Sequence, residues 1–316
     1  MENPLRIVFM GTPEFAVESL DKIFNSAHTV VAAVTAPDKP AGRGAKLRTS
    51  AIKDYCEEKD ITLWQPLNLK DESFLERVRF VEPDLIVVVA FRMLPEVLWK
   101  IPTLGTINLH ASLLPDYRGA APINWAIING EKETGVTTFF INENIDTGDI
   151  IDQEKVAIQS DMNAGDLHDI LKSTGANLLL KTLDLIAARK VSPRSQQTEA
   201  TEVEFHAAPK ITKENSRIDW TQPAGNILNL IRGLSPYPGA YTTNSFDDSI
   251  VKIFKAAAGT EDLQPGALKF TGKQKMEIGT GTESIQIEEI QTAGKKRMAA
   301  KDFLNGCRPE HYQRFK

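Results

Sequence analysis

Asn108, His110 and Ser112 stand at every second position of the run TINLHAS, Thr106 to Ser112. On a strand, alternate side chains share a face, so these three project to one side while Ile107, Leu109 and Ala111 project to the other. One face is apolar and can be covered by a helix. The other offers an amide, an imidazole and a hydroxyl, groups suited to donating hydrogen bonds and moving protons. Leu113-Leu114-Pro115 then adds an apolar, rigid wall. A lone histidine is commonly a satisfied structural residue. What favours a site here is the convergence of three polar groups on one face, at the end of a strand where ligands of parallel sheets bind.

A second element is Asp146-Thr147-Gly148-Asp149. An aspartate there could reach a histidine, orient it and favour its charged form. Spacing alone favours a plain turn, because Asp, Thr and Gly are all turn residues. Asp-Thr-Gly also occurs in aspartic proteases, but those need two such loops in a β-rich frame and this chain has one. Ala36 to Arg48, APDKPAGRGAKLR, is a loop with Lys39, Arg43, Lys46 and Arg48 against the single acid Asp38. Its place after a strand points to phosphate contact, although a merely solvated loop would look the same. Gly11-Thr12-Pro13 lacks the further glycines of a dinucleotide fingerprint, and there is no P-loop.

The elements that must position these residues follow from hydrophobic pattern. Leu5 to Met10, His28 to Thr35, Ile61 to Trp64 and Asp84 to Phe91 read as strands. Helices are expected from Thr12, with Pro13 as first helical residue, from Thr49 or Ser50, and after Asp71. Continuous apolar runs separated by helices indicate a parallel sheet covered on both faces. Thr103 to Ser112 adds a strand, Thr134 to Asn142 and Ile150 to Ile158 a later pair, and Ala164 to Arg189 a closing helix. Val191 to His206 is polar and without apolar period, hence a linker. Beyond it, a helix at Thr221 to Arg232 precedes short β segments at Ala240–Asn244, Ile250–Ala256, Lys275–Gly279 and Ser284–Ile290, the spacing of a small barrel or sandwich. The expected domains are 1–190, a linker 191–206, and 207–316.

Composition narrows the function. The 316 residues are 41% hydrophobic and 25% charged, which supports packed cores. The longest apolar run, Leu85 to Phe91, has seven residues, too short to span a bilayer. No secretory signal opens the sequence, and two cysteines, Cys56 and Cys307, form neither a disulfide framework nor a metal spacing. A cytoplasmic monomer without a metal or a membrane partner is expected. The net charge of −5 is uneven: residues 207–316 carry 16 Lys+Arg and 12 Asp+Glu, or +4, and residues 1–206 carry 21 and 30, or −9. A mildly basic back half can meet a polyanion, and ordinary surface variation would give the same figures.

The motifs together resemble the methionyl-tRNA formyltransferases, within the wider family that uses 10-formyltetrahydrofolate. The likeness runs through FMGTPEFA, TAPDKPAGRGAKL, INLHASLLPDYRGAAPI, IDTGDII, RIDW at 217–220 and AGKKRMAAKDFLNG. It implies an α/β fold: an N-terminal, mostly parallel Rossmann-like sheet with helices on both faces, then a smaller OB-like β-barrel that binds tRNA. It also implies formyl transfer from 10-formyltetrahydrofolate, a co-substrate, to the α-amine of initiator methionyl-tRNA. Catalytic roles fall to Asn108, His110 and Asp146, folate contacts to Ser112, Leu113, Leu114 and Pro115, and tRNA contacts to Lys39, Arg43 and Lys46. Phe91-Arg92 departs from the tyrosine–glycine pair that family members often have after the long strand. A formyltransferase acting on a small amine would share the three catalytic residues, and an RNA-binding protein with a folate sensor would need no catalysis.

Overall fold

In the computed structural model of the chain, residues 4–41, 46–196 and 205–316 are described, with the side chains of 40, 41 and 46 outside the description. Two compact units emerge. The first holds the chain up to Gly119 together with Glu133–Ala157 and His168–Ala207; the second holds Ala120–Lys132, Ile158–Leu167 and Ala208–Lys316.

The first unit is built on a seven-stranded sheet. From edge to edge the strands are Leu63–Trp64, Thr29–Val34, Arg6–Gly11, Leu85–Val89, Thr106–His110, Glu133–Phe140 and Ile150–Ala157. The first five run parallel, Glu133–Phe140 runs antiparallel to them, and Ile150–Ala157 pairs antiparallel with Glu133–Phe140. Ile7, Val8, Phe9 and Met10 are all inaccessible, as is nearly the whole of Leu85–Val89. Strands buried on both faces carry apolar residues at every position, which is why their runs are continuous rather than alternating. The helix Phe15–Phe24 buries Phe15, Ala16, Ser19, Leu20 and Ile23. It begins two residues after Pro13, whose carbonyl accepts the Ala16 N–H at 3.0 Å, so Pro13 supplies the turn that enters the helix and not its first residue. Ser50 caps Ala51–Lys59 by accepting the Lys53 N–H at 3.1 Å, and Asp71 caps Glu72–Phe80 by accepting from Phe74 at 3.2 Å.

From Arg6–Gly11 the chain winds outward on one side and then returns to add Leu85–Val89 and Thr106–His110 on the other. The order reverses between Arg6–Gly11 and Leu85–Val89, so the carboxyl ends of the strands open a crevice there. The Thr106–His110 strand lies next to it.

The expected linker does not start as one. Arg194 makes an antiparallel bridge to Ile150, with N–H to carbonyl bonds of 2.8 and 2.9 Å in both directions, and Gln196 is buried. Residues 197–204 lie outside the described residues.

The second unit carries an antiparallel sheet in the order Ala240–Thr243, Ile250–Ala258, Ser284–Thr292, Lys275–Gly279, Leu268–Thr271, with Met298–Ala299 paired to Ser284–Thr292. The last residues join its two ends: Phe315 bridges Asn244 and Arg314 bridges Ala267. The Phe315 ring, 1% exposed, fills the core with Trp220, Ile227, Ile253, Met276, Ile278 and Ile290. Both Leu268–Thr271 and this closing segment lie beyond the strands expected from the sequence.

Candidate active site

The Thr106–His110 strand ends at His110, at the carboxyl edge of the sheet. Leu109 points away, toward the helix Ala164–Ala187. There Gly175 leaves room for it, since a Cβ on that glycine would lie 2.9 Å from a Leu109 methyl. The opposite face presents Asn108 and His110. Asn108 is half-buried, and its amide has no hydrogen-bond partner among the described residues.

His110, 7% exposed, is held at Nε2 and faces a carboxylate with Nδ1. Nε2 lies 2.9 Å from the Tyr117 carbonyl oxygen, and a carbonyl only accepts, so Nε2 carries a hydrogen and donates it. Nδ1 faces Asp146 Oδ2 at 3.8 Å. That carboxylate oxygen accepts the Gly119 N–H at 3.0 Å. The loop Tyr117 to Gly119 thus fixes the imidazole from one side and the carboxylate from the other. Tyr117 adopts the left-handed backbone at φ 58°, and so does Asp146 at φ 54°. Non-glycine residues there are sustained only by their surroundings, a hallmark of functional loops.

His28 shows the opposite case. Its Nδ1 accepts the Leu5 N–H at 3.2 Å and its Nε2 donates to Asp184 at 3.2 Å, leaving a histidine with no free valence.

Ser112 shares a face with Asn108 and His110 in the extended pattern, but the strand ends at His110 and the chain turns. Its hydroxyl donates to the Asp116 carbonyl at 2.6 Å and the residue is fully buried. Leu114 is equally committed. Its side chain packs with Phe139 and Ile150, its N–H donates to Thr137 Oγ1, and its carbonyl accepts from Gln153. Pro115 is buried and Leu113 half-buried. Three of these four residues are buried, and Leu113 is the one that keeps partial exposure.

At the crevice, Ala90 follows the Leu85–Val89 strand with φ 48°. Arg92 turns its guanidinium back onto the carbonyls of Pro66, at 2.5 Å, and Leu67, at 3.1 Å, so its charge serves the neighbouring loop. The basic segment forms a small hairpin, Lys39–Ala41 with Lys46–Arg48. Lys39 is exposed, Arg43 lies outside the described residues, and so does the side chain of Lys46. Asp38, the one acid of the segment, binds Lys53 at 2.6 Å and Gln65 at 2.8 Å, and the Lys53 bond, followed by that from Gln65, draws its carboxyl below the ordinary range. The acid is occupied elsewhere and does not neutralise the loop.

Residues 5–183 match the model of the formyl transferase family, and residues 210–308 match the formyl transferase C-terminal domain. Methionyl-tRNA formyltransferases align over almost their whole length. That of Flavobacterium johnsoniae is 49% identical over 306 residues, 96% of each chain. That of Geobacter metallireducens is 44% identical over 307 residues, 97% of each. The chain belongs to the methionyl-tRNA formyltransferase family. It is a formyl-transferring enzyme, and solved structures repeat its fold at low identity. WlaRD, a sugar 3N-formyl transferase studied with dTDP and 5-N-formyl-THF, superposes with a TM-score of 0.66 at 19% identity, covering 93% of this chain and 100% of that one. HypX from Aquifex aeolicus in complex with tetrahydrofolic acid gives 0.62 at 20%, covering 96% of this chain and 47% of that one.

Sequence reading missed the contributions of Tyr117, Gly119, Arg118 and Gln196. The first two act through backbone groups, which side-chain identity does not report.

Proposed function

We propose that the enzyme moves the formyl group of 10-formyltetrahydrofolate to the α-amine of methionyl-tRNA, with Asn108, His110 and Asp146 at the reacting carbon. Attack by the neutral amine on the formyl carbon gives a tetrahedral adduct with an anionic oxygen. The unpartnered Asn108 amide donates to that oxygen, an interaction worth about 3–4 kcal/mol in rate. His110 Nδ1 takes the proton that the amine sheds, and the Asp146 carboxylate stabilises the resulting imidazolium. The adduct then collapses: the bond from carbon to the folate nitrogen breaks and that nitrogen is protonated, from His110 or through water. An amine needs no activated Ser or Cys, so no covalent enzyme intermediate enters the sequence.

The observation that carries this reading is the ring of His110, tied at Nε2 to a carbonyl, with Nδ1 turned toward Asp146 and a free amide on the same strand. Folate is assigned to the crevice at the strand ends, against Leu113 and the backbone around Ala90. Ser112, Leu114 and Pro115 shape this pocket from behind. The tRNA is assigned to Lys39, Arg43 and Lys46 and to the second unit. There a cavity of about 560 Å³ is lined by Lys210, Lys213, Lys252, Tyr237 and Tyr241 among others, the pairing of cations with flat rings that suits a nucleic acid. No helix among the described residues is long and apolar enough to cross a membrane. A charged tRNA as substrate supports a cytoplasmic reaction.

Labelled 10-formyltetrahydrofolate offered with charged initiator tRNA, with glycinamide ribonucleotide and with an amino sugar nucleotide tests the assignment. Formylation of the tRNA alone is expected. Preferential formylation of either small amine would overturn it.

A further inference from the structure

The segment after the N-terminal family match reaches back into the site. Gln196 is 2% exposed and lies within the described part of the stretch joining the two matched domains. Its Nε2 donates to two carbonyls of the aspartate loop, Asp146 at 3.1 Å and Gly148 at 2.7 Å. Its Oε1 accepts from Arg118, whose Nε lies at 3.2 Å and whose Nη2 lies at 2.5 Å. A guanidinium only donates and carbonyls only accept, so the amide has one possible orientation. Arg118 itself stands between Tyr117, whose carbonyl holds His110, and Gly119, whose N–H holds the Asp146 carboxylate. The reciprocal bridge of Arg194 with Ile150 seats the strap along the edge strand just before Gln196.

We infer that Gln196 is a positioning residue for formyl transfer: relayed from Arg118, its amide fixes the backbone on which Asp146 sits and so sets the reach of that carboxylate to His110. This rests on the role given to Asp146 above. The loop needs such a support, because Asp146 adopts a left-handed backbone and its neighbours Asn144 and Ile145 are exposed. Glutamine fits both sides of the bridge. A glutamate would pair with Arg118 but would set a carboxylate against two carbonyl oxygens, so charge neutralisation and loop positioning are separable by one substitution.

The test is a double-mutant cycle on the full-length enzyme, reading single-turnover formyl transfer to charged initiator tRNA, with folate and tRNA dissociation constants and thermal midpoints measured alongside. Gln196→Glu is expected to slow transfer by tenfold or more, given that a shift near 1 Å can cost about 100-fold. Both dissociation constants should stay within about threefold of wild type, since the loop carbonyls are not assigned to either ligand. In an Asp146→Asn background the same substitution should change the rate less than twofold, because the group it positions is already disabled. Gln196→Met keeps the volume and loses both polar groups, and carries the same expectation should the glutamate variant fail to fold. A Gln196 variant with wild-type transfer, or one whose loss is equal in both backgrounds, would overturn the proposal while leaving Asp146 in place. An Asp146→Asn enzyme that transfers formyl at the wild-type rate would instead remove the reading beneath it.

Discussion

Gly148→Ala probes how narrowly the aspartate loop is held. The loop returns against the strand that precedes it, and the Phe140 N–H donates to the Asp149 carbonyl at 3.0 Å. Gly148 has ordinary backbone angles, so its requirement is for space. A Cβ there would overlap the Phe140 carbonyl oxygen and lie 2.8 Å from the carbonyl carbon. Carbon pairs settle near 3.5–4.0 Å, and the carbonyl oxygen lies closer still, so the backbone must retreat by at least about 1 Å. Asp146 is two residues upstream and would move with it. Its bond from Gly119 is already 3.0 Å, and a further ~1 Å takes it outside hydrogen-bonding range. A misplacement of that size costs about 100-fold in turnover, or about 2.7 kcal/mol in barrier height. Steady-state formylation of charged tRNA reads kcat and KM, and a folate titration with a thermal melt shows that the pocket and fold survive. The expected pattern is a kcat near 1% of wild type with folate affinity within about threefold. Turnover close to wild type would refute the geometry, and so would a loss that appears only as unfolding.

Three further outcomes follow from particular residues. Glu277 is 2% exposed; burial alone would raise its carboxyl, but Lys275, the Ser284 hydroxyl and the Thr260 and Glu261 N–H groups overcome that and hold it at about 2 instead of 4.5. The unfolded chain takes the proton first as pH falls. The carboxylate therefore contributes roughly 3 kcal/mol above pH 4.5, and this is lost between about 4.5 and 2. Urea midpoints of Glu277→Gln should fall well below wild type at pH 7, with the gap closing as pH falls from 4.5 to about 2; a gap independent of pH would contradict the assignment. Cys56 is buried and its thiol pushed up to about 11, mainly by desolvation, so iodoacetamide at pH 8 should label it only after unfolding, with half-buried Cys307 reacting first. Lys39→Ala and Arg43→Ala should each weaken tRNA binding and flatten its logarithmic salt dependence by about 0.7–0.9, while folate affinity is unchanged; an unaltered salt slope would detach these residues from the tRNA.

The parallel sheet was legible because burial on both faces forces apolar residues at every position, as in Leu85 to Val89, and the alternation around Asn108 and His110 survived folding intact. Ser112 did not follow, since alternation holds only while the strand lasts and a turn redirects its hydroxyl to Asp116. Asp146 looked like any turn aspartate. What distinguishes it is the Gly119 N–H, which is 27 residues away and carries no side-chain signature. Gln196 was hidden for a related reason. Polar sequence without period reads as linker, and its burial depends on Arg118, 78 residues earlier. The closure of the second unit by Phe315 was likewise invisible, because Tyr312 and Phe315 among polar residues make too short a pattern to show a period, and the place of Phe315 is set by Gly266 and Thr243 accepting the last N–H groups.

The decisive measurement is single-turnover formyl transfer by Asn108→Ala, taken together with its folate dissociation constant. The free amide on this strand is assigned to the oxyanion of the adduct and not to ground-state binding. Transfer is therefore expected to slow by about 100- to 1,000-fold with folate affinity within about threefold of wild type. Transfer near the wild-type rate, or a loss matched by an equal weakening of folate binding, would contradict the assignment of Asn108 to the reacting carbon.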